Sequence, residues 1–125
     1  VEDLMLTDRE KLPIAQENQS FAEVIELISD KKLGMAMIVN EEGKLTGVLT
    51  DGDIRRTLIK YPNIRPLLAK DVMSPNPKYI SPKDYGASAL NLMEKYSITA
   101  LAVLDENGKP IGTVHIHDLL KAGVA

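Results

Sequence analysis

The 125-residue sequence has no cysteine and no tryptophan, one phenylalanine, four tyrosines and two histidines. Without cysteine, disulfides and thiolate nucleophiles are excluded, which fits a reducing, cytoplasmic setting. So few aromatic rings cannot fill a core, so Leu, Ile, Val, Ala and Met must build it. No apolar run approaches the roughly 20 residues of a membrane span, and no signal peptide is visible; no membrane contact is expected. Excess positive charge is also missing. A net charge of −3 and a pI near 5.4 argue against a nucleic-acid surface, which needs spare Lys and Arg to replace counterions. What remains is an ordinary globular composition, 44% apolar and 26% charged. A chain of this size can bury about two thirds of its surface.

The strongest internal signal is a repeat. At an offset of 65 residues, Ala22 aligns with Ala87, Ile25 with Leu90, Ile28 with Met93, Val39 with Leu104, Gly43 with Gly108, Gly47 with Gly112 and Asp53 with Asp118. Leu33 aligns with Ile98 in the same register, and Asp3-Leu4-Met5 matches Asp71-Val72-Met73 at an offset of 68. Two copies, 1–66 and 67–125, are too short for solenoid repeats. They are expected to be half-domains sharing one core. The chain starts at Val1 and enters a structural motif by Asp3, so it is expected to be cut from a longer protein.

Each copy reads in the same order. A short Asp-Leu/Val-Met turn precedes an extended stretch, Pro13–Ala15 or Lys78–Ile80. An amphipathic helix follows. Phe21, Val24, Ile25 and Ile28 hold the i, i+3, i+4, i+7 spacing, and Gly34 can cap its end. In the second copy Ser81-Pro82-Lys83-Asp84 predicts an N-cap with proline at the first helical position. Near-continuous apolar runs, Met35–Asn40 and Ala100–Asp105, predict strands covered on both faces. Glycine-bearing turns join them to Leu45–Thr50 and Ile111–Ile116 as hairpins. Helices over Gly52–Lys60 and Asp118–Ala122 close the copies, and Ile64–Ala69 is a short helix or turn between them. This order defines an α+β fold, each copy a small sheet flanked by helices. The five methionines read as gap-fillers in an aromatic-poor core, although Met5 and Met73 open each copy and can pack over a ligand pocket.

The chain is organised around Gly47-Val48-Leu49-Thr50-Asp51-Gly52-Asp53-Ile54-Arg55-Arg56 and its echo, Gly112-Thr113-Val114-His115-Ile116-His117-Asp118-Leu119-Leu120-Lys121. In each, a strand runs straight into a helix. Thr50 and Asp53 sit three apart beside the free N–H groups of a helix start. A carboxylate there can accept both hydroxyls of a ribose, as an acidic residue does in dinucleotide-binding folds. The plainer reading is a capping box, worth about 1 kcal/mol, and the two are compatible. Arg55 and Arg56 can bind a phosphate at that N-terminus, or be a solvated face or an ion pair with Asp51.

The order, the duplication and the Gly-(Val/Thr)-(Leu/Val)-Thr-x-x-Asp signature resemble a tandem pair of cystathionine-β-synthase-type (CBS) domains, a Bateman module. A narrower resemblance rests on Thr50–Arg56, Asp71-Val72-Met73-Ser74-Pro75, Ala89–Met93 and His115–Val124. These look like the C-terminal regulatory part of bacterial D-arabinose 5-phosphate isomerases. That resemblance implies an N-terminal sugar-isomerase (SIS) domain as partner, interconverting D-ribulose 5-phosphate and D-arabinose 5-phosphate for the lipopolysaccharide sugar Kdo, and no isomerase activity in this chain alone. It also implies two copies about a pseudo-twofold axis, homo-oligomers built through CBS pairs, and a nucleotide or a CMP-Kdo-like nucleotide sugar as ligand. Asp53 is implied to hold the ribose and Thr50 to face the phosphate or ribose. The backbones of Gly34, Met35 and Ala36, and of Ile98, Thr99 and Ala100, are implied to flank the base.

The second corner departs from the pattern, because His115 stands where Thr50 does while Asp118 is retained. The resemblance implies contacts of His115, His117 and Asp118 with the ligand or the catalytic domain. A metal reading also arises, since residues two apart on a strand share a face. It lacks a further histidine to complete a ligand set. Three functional classes remain: a ligand-sensing module, a purely structural or oligomerising module, and an enzyme in its own right. The last has no Cys nucleophile, no triad and no third metal ligand to support it.

Overall fold

A computed structural model describes residues 12–31, 34–84 and 86–123. The Asp3-Leu4-Met5 turn and Leu33 lie outside the described residues. The chain divides into two units, one of Pro13–Pro77 and one that includes the described residues from Lys78 onward.

The first unit is a four-stranded mixed sheet in the order β1-β2-β3-β4. Strand β1 (Ile14–Gln16) runs parallel to β2 (Met35–Val39), with helix α1 (Phe21–Lys31) as the crossover. Ser20 caps α1, its hydroxyl accepting from the Glu23 N–H at 3.2 Å and donating to the Glu23 carboxylate at 3.1 Å. Phe21, Val24 and Ile28 turn inward onto Ala15, Ala36, Ile38 and Leu49. Every residue of β2 is buried, as a strand covered on both faces requires. Strand β3 (Leu45–Thr50) returns antiparallel through a hairpin in which Gly43 holds φ +81°. Helix α2 (Asp51–Lys60) follows without an intervening residue.

The segment after residue 66 stays with this first sheet. Phe21 donates its N–H to the Leu67 carbonyl at 2.9 Å, and Ala69 donates to the Gln19 carbonyl at 2.8 Å. Ala69–Val72 is a single helical turn (α3), and β4 (Ser74–Pro75) pairs antiparallel with Gly47 and Val48 of β3. Asp71 and Val72 therefore sit in that turn with Met73 directly after it, and residues 64–68, expected as a short helix or a turn, form a turn that leads into it.

The second unit carries a three-stranded sheet, β5-β6-β7, of β5 (Tyr79–Ile80), β6 (Ala100–Leu104) and β7 (Pro110–His115). Helix α4 (Gly86–Tyr96) and helix α5 (Ile116–Lys121) pack Ala89, Leu90, Met93 and Leu119 against Leu101, Val103 and Val114. The repeat offset of 65 recurs in three dimensions. Met35 faces Thr50 as Ala100 faces His115, Ile14 faces Met37 as Tyr79 faces Ala102, and both hairpins slip register at the matching place.

Among the described residues, each unit has its own cluster of packed apolar side chains. Two expectations need correction. Helix α4 does not begin at Ser81-Pro82. Ser81 donates its N–H to the Asp84 carboxylate at 2.8 Å in a turn of its own, and the helix opens at Gly86, the register partner of Phe21. Helix α5 begins at Ile116, two residues before the expected start, so His117 lies on a helix and not on the strand. No helix among the described residues is long and apolar enough to cross a membrane.

Candidate functional site

The corner at the β3–α2 junction is built locally. Thr50 has extended backbone (φ −111°, ψ 170°) and caps α2. Its Oγ1 accepts the Asp53 N–H at 3.3 Å, while the Asp53 carboxylate accepts the Thr50 N–H at 3.0 Å and the Thr50 hydroxyl at 3.1 Å, both on Oδ2. The expected capping box is present, and two otherwise orphaned donors are satisfied. The other carboxylate oxygen is engaged too. Asp53 Oδ1 accepts from Arg56 Nη2 at 2.6 Å and from the Ser74 hydroxyl at 3.0 Å. Asp53 is thus only 6% exposed, yet every acceptor position of its carboxylate is occupied. Thr57, also buried, donates its hydroxyl to the Asp53 carbonyl at 2.7 Å and stiffens the same turn.

Ser74 had no place in the sequence-based site. It reaches Asp53 from 21 residues away because β4 pairs with β3, and no local pattern announces that pairing. Arg56, expected to bind a phosphate, lie on a solvated face or pair with Asp51, pairs with Asp53. Arg55 is exposed. Gly34 holds φ +74°, the conformation expected of a cap, and its carbonyl accepts the Asp51 N–H at 3.4 Å, so its backbone lies against the start of α2. Met35 and Ala36 are buried in β2, which leaves Gly34 as the accessible part of that triplet.

The second corner has the same backbone and different chemistry. The Ile116 N–H meets the Thr99 carbonyl at 2.8 Å, the register equivalent of the Asp51–Gly34 bond. Ile98 is half-buried and Ala100 half-buried, with Thr99 exposed between them. His115 caps α5 in place of a threonine: its Nδ1 accepts the His117 N–H at 3.1 Å. An accepting Nδ1 must be deprotonated, and partial burial together with the neighbouring His117 lowers the His115 pKa below its ordinary value, against an opposing pull from Asp118. The two imidazoles stack at 4.7 Å between centroids, 23° from parallel. They meet face to face instead of converging on one point, so the same-face geometry behind the metal reading does not arise. Among the described residues, no group of three His, Cys, Asp or Glu side chains is placed to hold a metal. Asp118 is exposed and its carboxylate accepts no hydrogen bond among the described residues, the opposite of its repeat partner Asp53.

The sheet order, the duplication and the capped strand-to-helix corners define a class. A family model for the CBS domain matches residues 1–60 and again 69–125, and the chain belongs to the CBS domain family as a tandem pair. Among characterised sequences it is 38% identical over 124 residues to the arabinose 5-phosphate isomerase KdsD of Pseudomonas aeruginosa, covering 99% of this chain and 38% of that protein. It is 36% identical to KdsD of Escherichia coli K12, over 99% of this chain and 37% of the relative. An uncharacterised protein of Rickettsia prowazekii, RP505, is 39% identical over 93% of this chain and 35% of its own length. The chain therefore spans little more than a third of these relatives. In fold it is similar to the CBS domain pair of protein MJ0100 in complex with 5′-methylthioadenosine and S-adenosyl-L-methionine, with a TM-score of 0.85 at 23% identity over 98% of both chains. It is also similar to CBSX2 in complex with AMP, with a TM-score of 0.81 at 24% identity over 98% of this chain and 93% of that one.

Proposed function

We propose that this chain is the ligand-sensing CBS module of an arabinose 5-phosphate isomerase, its two domains written in sequence as the copies 1–66 and 67–125, with the start of the second copy, up to Pro77, packing in the first unit. The observation that carries the reading is identity of 36–38% to KdsD proteins along 97–99% of the chain. The ligand in this reading is a nucleotide or nucleotide sugar, CMP-Kdo being the one that a Kdo pathway offers. Its target is an SIS catalytic domain in the same cytoplasmic polypeptide. The Thr50–Asp53 corner supports it by supplying a buried carboxylate beside a helix N-terminus, where a ribose and a phosphate are recognised together. Binding regulates the isomerase only through a difference in affinity between two arrangements of module and catalytic domain. Calorimetry of the chain with AMP, ATP, CMP and CMP-Kdo tests this. Saturable heat with at least one is expected; silence with all four at millimolar concentration removes the sensing role.

A second reading, a purely structural module that assembles isomerase subunits, is favoured by one feature. Leu58 and Ile59 on α2 are 51% and 80% exposed, a costly pair of side chains to leave in water. Self-association that Ile59→Asp abolishes, with no response to any of the four ligands, selects this reading over the first.

A further inference from the structure

The first corner poses a chemical problem for its own proposed ligand. A ribose hydroxyl must donate to the Asp53 carboxylate, and the roughly four acceptor positions of that carboxylate are filled by Thr50 N–H, the Thr50 hydroxyl, Arg56 Nη2 and the Ser74 hydroxyl. One donor has to leave. The Thr50 pair cannot, because those bonds cap α2 and both residues are fixed by backbone. Ser74 is half-buried and held by the β3–β4 pairing, so withdrawing it would strand a hydroxyl. Arg56 differs from all three. Its side chain is 73% exposed, so its guanidinium is rehydrated on leaving, while the ribose hydroxyl takes its place on the carboxylate, which is itself only 7% exposed.

Where the guanidinium goes is also constrained. Its Nη1 and Nη2 lie 3.4 and 3.7 Å from the point where a Cβ on Gly52 would sit. It therefore packs across the first turn of α2, over the second helical residue, whose N–H has no acceptor within the helix. A phosphate drawn to that N–H by the helix dipole would lie beside the same guanidinium.

We propose that Arg56 makes this corner select phosphorylated nucleosides over free ones: it closes the Asp53 carboxylate by itself and opens it by exchanging onto the ligand's phosphate. This rests on the nucleotide-sensing reading above. A nucleoside must displace Arg56 and offers it nothing in return. A nucleotide replaces one anionic partner with another, and guanidinium binds phosphate in two-pronged fashion. Phosphate recognition and ribose recognition are thereby coupled through one side chain.

The test is calorimetry of the 125-residue chain and its Arg56→Ala variant with two probe pairs, AMP with adenosine and CMP with cytidine. In the variant the nucleoside binds about two- to fivefold more tightly, the fold-change equivalent of an ion pair that is open to water on its guanidinium side and is replaced by a hydroxyl on the other. The nucleotide binds about tenfold more weakly, so the preference for phosphate collapses. Lys60→Ala removes the same charge from the end of the same helix and leaves the preference within about twofold; a larger change there would make the effect one of net charge and overturn the proposal. Loss of nucleotide affinity with nucleoside affinity unchanged or weakened would reduce Arg56 to an ordinary phosphate contact and overturn the exchange alone. Silence of all four probes with both proteins would overturn the nucleotide reading itself, and the exchange with it.

Discussion

Met73 lies over the backbone of Gly47, its Sδ and Cγ occupying the space that a Cβ at residue 47 would need, with the Ser74 carbonyl oxygen 3.0 Å from the same point. Gly47 is buried in β3, and this close approach is what lets β4 pair with it. We expect Gly47→Ala to destabilise the first unit by about 1–3 kcal/mol, the usual cost of overpacking. Adding Met73→Ala should recover only part of the loss, because the Ser74 carbonyl belongs to the backbone and cannot swing aside. Urea unfolding of the two single variants and the double variant measures the coupling.

The two aspartates of the repeat should respond differently to the same substitution. Asp53→Ala removes the acceptor for four donors in a buried site, and a loss of about 2–3 kcal/mol is expected from the cap and the stranded Thr50 and Ser74 donors. Asp118→Ala, on an exposed side chain without a hydrogen bond, should stay within about 0.5 kcal/mol. Equal losses on denaturant titration would contradict the asymmetry. Capping energy alone would make Asp53→Ala a mild change; the convergence of Arg56 and Ser74 makes it a severe one. Ligand binding is therefore better probed through Arg56 than through Asp53.

His115 caps α5 with a deprotonated nitrogen, so acid should weaken the second unit. Its pKa in the folded protein is lowered from the ordinary 6.5, which means that the unfolded chain binds the proton more readily. Its contribution is complete above about pH 6.5 and is lost as the pH falls from there through the lowered value. His115→Thr restores the cap found in the first copy and removes the titrating group. Thermal unfolding at pH 7.5, 6.5 and 5.5 should show a smaller acid-induced fall in Tm for the variant than for the unchanged chain. An identical fall in both would assign the effect to other groups.

The hairpins illustrate how far a local pattern reaches. Asn40 Oδ1 accepts the N–H groups of Glu42 and Lys44 at 2.9 and 3.0 Å, and Asp105 Oδ1 accepts those of Asn107 and Lys109 at 2.8 and 2.9 Å. Those two N–H bonds pull the Asp105 carboxyl below its ordinary pKa. Such turns are written within five residues, so the strands on either side were legible. The start of α4 departs from its local pattern for a related reason. Ser81-Pro82-Lys83-Asp84 satisfies the rules for a helix start, and it does form the Asp84-to-Ser81 bond of such a start, but the bond closes a separate turn. The repeat offset, applied to Phe21, points to Gly86 and was the better guide.

From its sequence alone this protein was determined as a duplicated α+β chain with two strand-to-helix corners, the first capped by Thr50 and Asp53. Periodicity, turn residues and capping act over a few positions, and a duplication copies them in register. Only the tertiary structure decided what those corners contain. The parallel pairing of Ile14 with Met37, the return of residues 67–75 to the first sheet, and the convergence of Arg56 and Ser74 on one carboxylate all depend on which buried faces fit together. Asp71-Val72-Met73 can be recognised as a motif wherever it lies. That the next residue, Ser74, would reach Asp53 follows from Met73 fitting over a glycine, a contact between segments far apart in the chain that no local preference encodes.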